Sequence, residues 1–191
     1  AIIHAWFPGE FGGQAIAEAL FGDYNPGGRL AVTFPKSVGQ IPFAFPFKPG
    51  SDESSETSVY GALYPFGHGL SYTTFQYSDL AISPSKQGVQ GNISISCTIK
   101  NIGQREGDEV VQLYLRDEVS SVTTYTQVLR GFERITLKPE ASHTVHFELT
   151  PQELGIWDKQ MNFTVEPGMF KVMIGSSSKD IRLKGEFEIA Q

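Results

Sequence analysis

From Phe75 onward the chain alternates apolar and polar side chains with a period of two. Ile93, Ile95, Cys97 and Ile99 stand against Ser94, Ser96, Thr98 and Lys100. Val111, Leu113 and Leu115 stand against Gln112, Tyr114 and Arg116. Val145, Phe147 and Leu149 flank His146 and Glu148, and Phe170, Val172 and Ile174 flank Lys171 and Met173. Successive side chains of an extended chain point to opposite faces, so this period demands half-buried strands. Further strands are expected near residues 75–82, 125–137, 161–165 and 181–189. About seven short alternating strands in one stretch predict two packed sheets, a β-sandwich.

The sandwich belongs to the immunoglobulin-like class. Cys97 is the single cysteine, so no Cys…Trp…Cys framework exists, and the fibronectin type III-like version is expected. Cys97 lies on the apolar side of its strand and reads as a small core residue. His143 and His146 are three apart on a strand and face opposite ways, which is not metal-ligand spacing.

The first part of the chain has another character. Ala1 to Trp6 reads as the end of a buried strand. Pro8, Gly9, Gly12 and Gly13 punctuate a turn. Ala15, Ile16, Ala19 and Leu20 fall at helical spacing, so a helix is expected over about residues 14–21, with Gly22 ending it. Asn25-Pro26-Gly27-Gly28 is a turn, and Leu30–Phe34 reads as a strand stopped by Pro35. Strand, helix and strand make the last unit of an α/β layered domain. That unit cannot bury its own faces, so more of the domain is expected upstream. Residues 36–63 are loop-like, with an aromatic half, Ile41–Pro49, and a polar half, Ser51–Ser58. The boundaries drawn from this are 1–35 for the α/β end, 36–74 for the linker and 75–191 for the sandwich.

Apolar residues make up 40% and charged residues 19%, the composition of a globular protein. The net charge of −6 is spread evenly, with no basic patch, which argues against nucleic acid. No apolar run is long enough for a membrane helix. A neutral substrate or a protein surface suits this balance.

Among the carboxylates, Glu10 stands out because it sits in a Gly-rich turn after an expected strand, where α/β proteins place ligand sites. The alternative is a carboxylate favoured by the dipole of the following helix. Asp23 reads as a turn residue, and Asp52, Glu53 and Glu56 as a solvated face. Gly9–Gly13 lacks the Lys-Ser/Thr of a phosphate loop and the spacing of a dinucleotide fingerprint. No serine nucleophile elbow occurs.

Three strings occur in order: Pro8-Gly9-Glu10-Phe11-Gly12-Gly13, Phe21–Leu30 leading to Thr33-Phe34-Pro35, and Leu63–Phe75 with Tyr64-Pro65-Phe66-Gly67-His68-Gly69-Leu70-Ser71-Tyr72. Together they resemble the C-terminal part of glycoside hydrolase family 3, which includes β-glucosidases and β-xylosidases. The resemblance covers nearly the whole chain. It implies a retaining β-glycosidase that removes terminal β-D-glucosyl or xylosyl residues from oligosaccharides. It also implies a TIM-like barrel and the rest of an α/β sandwich domain as partners of this segment. The family's nucleophile lies in the barrel and its acid/base carboxylate upstream of the Pro-Gly-Glu turn. No catalytic residue is therefore carried over, and the chain alone is expected to be inactive, without cofactor or metal. His68 stands where many relatives have Tyr.

The family's linker lies near the active-site entrance or a homodimer contact, which makes Phe47 and Lys48, with Glu10, candidate contacts to substrate. A periplasmic or secreted setting suits such an enzyme. The alternative functions are a non-catalytic carbohydrate-binding module, using Tyr114, Tyr125 and Trp157, or a protein-interaction sandwich. The protein-interaction reading does not account for the α/β unit in front.

Overall fold

The computed structural model describes residues 2–41, 43–51, 53–54 and 59–191. Strand β1 is Phe34–Pro35, β2 Glu53–Ser54, β3 Val59–Tyr60, β4 Ala62–Tyr64, β5 Phe75–Ser83, β6 Lys86–Gly88 and β7 Ile93–Asn101. They are followed by β8 Gly107–Asp117, β9 Val128–Leu137, β10 Ser142–Leu149, β11 Ile156–Trp157, β12 Phe163–Thr164, β13 Gly168–Gly175 and β14 Ile181–Ala190. Helix α1 is Gly12–Phe21 and α2 is Pro151–Leu154. The molecule is mainly β with few helices.

Two sheets make the sandwich. One has the order β10-β7-β5 and the other β6-β14-β13-β8-β9. All pairs are antiparallel except β6 with β14. The period-two residues do what their spacing requires. Ile93, Ile95, Cys97 and Ile99 of one sheet meet Val111, Leu113, Val172, Ile174 and Phe187 of the other in one buried core. The rings of Phe170 and Phe187 stack within it, 5.4 Å apart. Apolar side chains removed from water this way contribute about 1.5–3 kcal/mol each.

Strand β8 departs from simple alternation. Val111, Leu113 and Leu115 face the core, yet Gln112 and Tyr114 on the other face are buried too. The linker lies over them. Tyr114, which the sequence leaves open between a binding face and the inter-sheet core, belongs to neither: it is fully buried because Phe45 packs edge-on against it at 5.6 Å.

The N-terminal region follows the sequence only in part. Helix α1 forms and ends at Gly22, whose φ of 84° is the left-handed conformation that glycine adopts without a Cβ penalty. The strands expected on either side of it are nearly missing. Residues 2–6 are not in a strand, and of Leu30–Phe34 only Phe34 joins a ladder, in the two-residue β1 paired with β4. A strand exists only through hydrogen-bonded neighbours, and residues 2–6 have none among those described. Asp52, Ser55, Glu56, Thr57 and Ser58 of the polar segment, with Ala1 and Pro42, lie outside the described residues.

Candidate functional site

Two of the three motif strings of the sequence, Phe21–Leu30 and Leu63–Phe75, meet in space. Asn25 Oδ1 accepts hydrogen bonds from the Tyr72 amide at 2.7 Å and the Ser71 hydroxyl at 3.0 Å. Its amide nitrogen donates to the Glu106 carbonyl at 3.0 Å. The Tyr72 hydroxyl donates to the Ala19 carbonyl at the end of α1, 2.6 Å away. The Leu30 amide donates to His68, and Gly67 donates back to Leu30, at 2.9 and 2.8 Å. Phe21–Leu30 and Leu63–Phe75 thus form one surface against the sandwich.

A buried ion pair holds that surface down. Arg29 Nη2 lies 3.0 Å from Glu109 Oε2, with side chains 7% and 4% exposed. The Tyr77 hydroxyl donates to the other Glu109 oxygen at 2.9 Å, and the Arg182 guanidinium sits 5.8 Å from the Tyr77 ring centre. Burial pushes the Glu109 carboxyl above the usual carboxylate range, while Arg29 and the Tyr77 hydroxyl pull it down. Burial, with the Glu109 charge beside it, pushes the Tyr77 hydroxyl far up, so it acts as a donor at any ordinary pH.

The linker is fixed by a second set of bonds. Gln112 Nε2 donates to the carbonyls of Gly67 and Ser176, and Tyr114 donates to Gln112 Oε1. Gly67 is required here. Its φ is 80°, and a Cβ would drive into the Gln112 side-chain amide. The Ser178 amide donates to Phe66, and Gln127 Nε2 to Ser178. The Phe47 carbonyl accepts from both the amide and the hydroxyl of Thr126, at 2.8 and 3.1 Å. Above these pins the rings of Phe43, Phe45, Phe47 and Phe66 pack on one another, Phe45 and Phe66 stacked at 4.6 Å.

Phe47 is therefore half-buried, with its ring in the aromatic cluster. Lys48 beside it is exposed at the start of a turn closed by Ser51, whose amide and hydroxyl both donate to the Lys48 carbonyl. Glu10 is exposed on the turn before α1. Among the described residues no hydrogen bond or ion pair joins Glu10 to Phe47 or Lys48. The structure brings Phe47 and Lys48 together on one anchored loop and leaves Glu10 apart.

Two family models match the chain. The glycosyl hydrolase family 3 C-terminal domain matches residues 1–72 and the fibronectin type III-like domain residues 109–178. Residues 1–72 carry the C-terminal domain of glycosyl hydrolase family 3. The chain is 44% identical to a periplasmic β-glucosidase of Salmonella typhimurium, aligned over 99% of this chain and 26% of that protein. It is 42% identical to a β-xylosidase of Formosa agariphila, over 96% of this chain and 26% of the relative. Among solved structures it superposes on a β-glucosidase of Erythrobacter marinus with a TM-score of 0.91 at 40% identity, covering 97% of this chain and 25% of that one. On the Listeria innocua β-glucosidase in complex with glucose the TM-score is 0.92 at 30% identity, covering 98% and 28%. The chain thus spans about a quarter of the length of the relatives it matches.

Sequence reasoning missed the Arg29–Glu109–Tyr77 group and the Gln112–Tyr114 pair. Arg29 lies in a string marked as a motif, which was a usable signal. Glu109 and Gln112 sit in a strand whose alternation gives no hint that Arg29 reaches the first and the linker covers the second.

Proposed function

We propose that this chain is the C-terminal structural segment of a retaining β-glycosidase that releases terminal β-D-glucosyl or xylosyl residues from oligosaccharides. Residues 1–35 close an α/β sandwich domain, 36–74 form the linker, and 75–191 form a fibronectin type III-like brace. The observation that carries this reading is the match of nearly the whole chain to one quarter of β-glucosidases and β-xylosidases.

The surface of residues 2–38 supports the same reading. Phe7 is 99% exposed and Phe21 and Val38 are each 84% exposed, with Ile2, Trp6 and Phe11 also open. A patch of this kind marks an interface. The barrel and the rest of the α/β domain are its proposed occupants. The sandwich, whose core is closed, supplies a rigid base, and the Arg29–Glu109 pair transmits its position to the motif surface.

Glycoside hydrolysis needs two carboxyl groups flanking the scissile bond. Glu10 stands at an exposed turn with no described partner, so the chain by itself is assigned no turnover. Purified alone and assayed on aryl β-glucosides and β-xylosides, it is expected to give none. Turnover that Glu10→Gln abolishes would overturn this assignment.

Phe47 and Lys48 are proposed to border the substrate entrance, Lys48 as an exposed donor to sugar hydroxyls and Phe47 as the packed base of its turn. In the full-length protein, Lys48→Ala is expected to raise KM for oligosaccharides several-fold and to leave kcat within about twofold. Unchanged KM and kcat in both Lys48→Ala and Phe47→Ala would remove the loop from the substrate path.

A further inference from the structure

One cleft of about 260 Å³ opens in the sandwich, away from the motif surface. Its wall and rim include Asp117 at the end of β8, Tyr125 in the loop that follows, Arg130 in β9, Glu153 in α2 and Trp157 in β11, over a floor that includes Phe170. Two of the three aromatics singled out in the sequence, Tyr125 and Trp157, thus converge on one cleft from positions far apart in the chain. The third, Tyr114, is buried elsewhere.

The cleft is held by its own bonds. Thr150 caps α2: the Gln152 amide donates to its hydroxyl, and Glu153 Oε2 accepts from the Thr150 amide and hydroxyl at 2.8 and 2.6 Å. Trp157 leans edge-on against Phe163 at 5.5 Å, and Phe163 fills the space where a Cβ on Gly155 would stand. The facing wall is tied at the Ser121 amide, which donates to Glu166 at 2.8 Å, and at Thr126, which bonds Phe47. Even so, Trp157 is 59% and Tyr125 43% exposed, and neither the Tyr125 hydroxyl nor the Arg130 guanidinium has a hydrogen-bond partner among the described residues.

We propose that this cleft binds a neutral saccharide chain, with a sugar ring on Trp157 and Tyr125 and its hydroxyls on Arg130, Asp117 and Glu153. Sugar presents apolar C–H faces beside hydroxyls that both donate and accept. A site for it needs open aromatic surface next to mixed donors and acceptors. This cleft has both: five guanidinium donors, two carboxylates and two aromatic rings, at a volume near the lower end of small-ligand sites of about 300–1,000 Å³. Two carboxylates against one cation disfavour a phosphate-bearing ligand. The wall that carries Tyr125 continues through Thr126 to Phe47. The cleft and the proposed entrance loop therefore sit on one connected surface, which suits a polymer longer than the cleft itself.

The test is native affinity electrophoresis of the full-length protein in gels containing soluble xylan, mixed-linkage β-glucan or dextran. The choice of β-linked probes rests on the glycosidase reading. Turnover of a small aryl β-glycoside is therefore measured separately, so the two ideas can fail independently. The wild type is expected to be retarded by a β-linked polymer. Trp157→Ala and Tyr125→Ala are expected to weaken retention about tenfold, with aryl-glycoside kcat/KM unchanged. Arg130→Gln, a change at an exposed residue that keeps the backbone packing, is expected to weaken it several-fold and covers the case of a misfolded Trp157 variant. Retention with no hydrolysis would support the cleft and sink the glycosidase reading. Wild type that is not retarded by any polymer, or variants retained as strongly as wild type, would overturn the cleft.

Discussion

At the residue scale the most consequential group is Glu109. It is nearly sealed from water and balanced by Arg29, with Tyr77 donating to it. Removing one partner of a buried pair leaves the other charge without compensation, which costs about 3–5 kcal/mol. Arg29→Met is expected to lower stability by that amount in urea unfolding, and Arg29→Met/Glu109→Leu to recover much of it. If Arg29→Met unfolds at the wild-type midpoint, the pair is not what couples the motif surface to the sandwich. Cys97 offers a milder check. Its thiol is fully buried and pushed up to about 11, chiefly by burial, so little thiolate exists at neutral pH. Labelling by a thiol reagent is expected to proceed only at the rate of unfolding. Prompt labelling of native protein would contradict its place in the core.

At the element scale the linker and β8 act as one unit. Gly67→Ala must adopt a left-handed backbone, costing about 1–3 kcal/mol, and must also displace Gln112 from its bonds to Gly67 and Ser176. The expected outcome is a lower thermal midpoint together with faster proteolysis within the linker. A protease pattern identical to wild type would show that the linker holds without this contact. This unit also marks how far the sequence could be read. The alternation in β7, β8, β10 and β13 gave both sheets, because one buried face leaves a direct imprint on side-chain choice. Helix α2 was legible in principle from Thr150, Pro151 and Glu153, a capping box with Pro at the first position, but its single turn carries no periodicity. The burial of Tyr114 was not legible at all. A strand residue opposite the core normally faces water, and only the folded linker decides otherwise. Of the site, Phe47 and Lys48 were proposed through family resemblance. The meeting of Tyr125 with Trp157 depends on how α2 and β11 turn, which no local pattern encodes.

At the scale of the whole molecule, charge sets the response to acid. Hydrogen bonding from Arg182 holds the Asp180 carboxyl below its usual range. For Asp108, burial pushes upward, but bonds from Thr136 and Arg134 outweigh it and the carboxyl is lowered. A carboxylate depressed in the folded state stabilises it above the unfolded value, near 4, and that stability is lost as pH falls through the folded value. Glu109 and Asp117 have the opposite sign: raised in the folded state, their contribution is present at low pH and fades as pH rises. The depressed carboxylates, which also include Glu153, Asp158 and Glu166, outnumber these two, so the thermal midpoint is expected to fall between about pH 5 and pH 2.5. Asp180→Asn is expected to flatten that slope. A slope equal to the wild type's would rule out Asp180 as a contributor.

The order of strands in the larger sheet has a bearing on how the protein is made. β14 lies inside that sheet, between β6 and β13, and β6 finds its ladder partner in β14. Phe187 and Ile189, both in β14, are core residues. On the ribosome, β5 to β13 emerge while the place of β14 is empty. The two sheets can then close over an incomplete core, but they cannot seal it. Compaction of the sandwich must await β14, so the segments upstream that pack on it acquire their firm footing only once that strand has emerged.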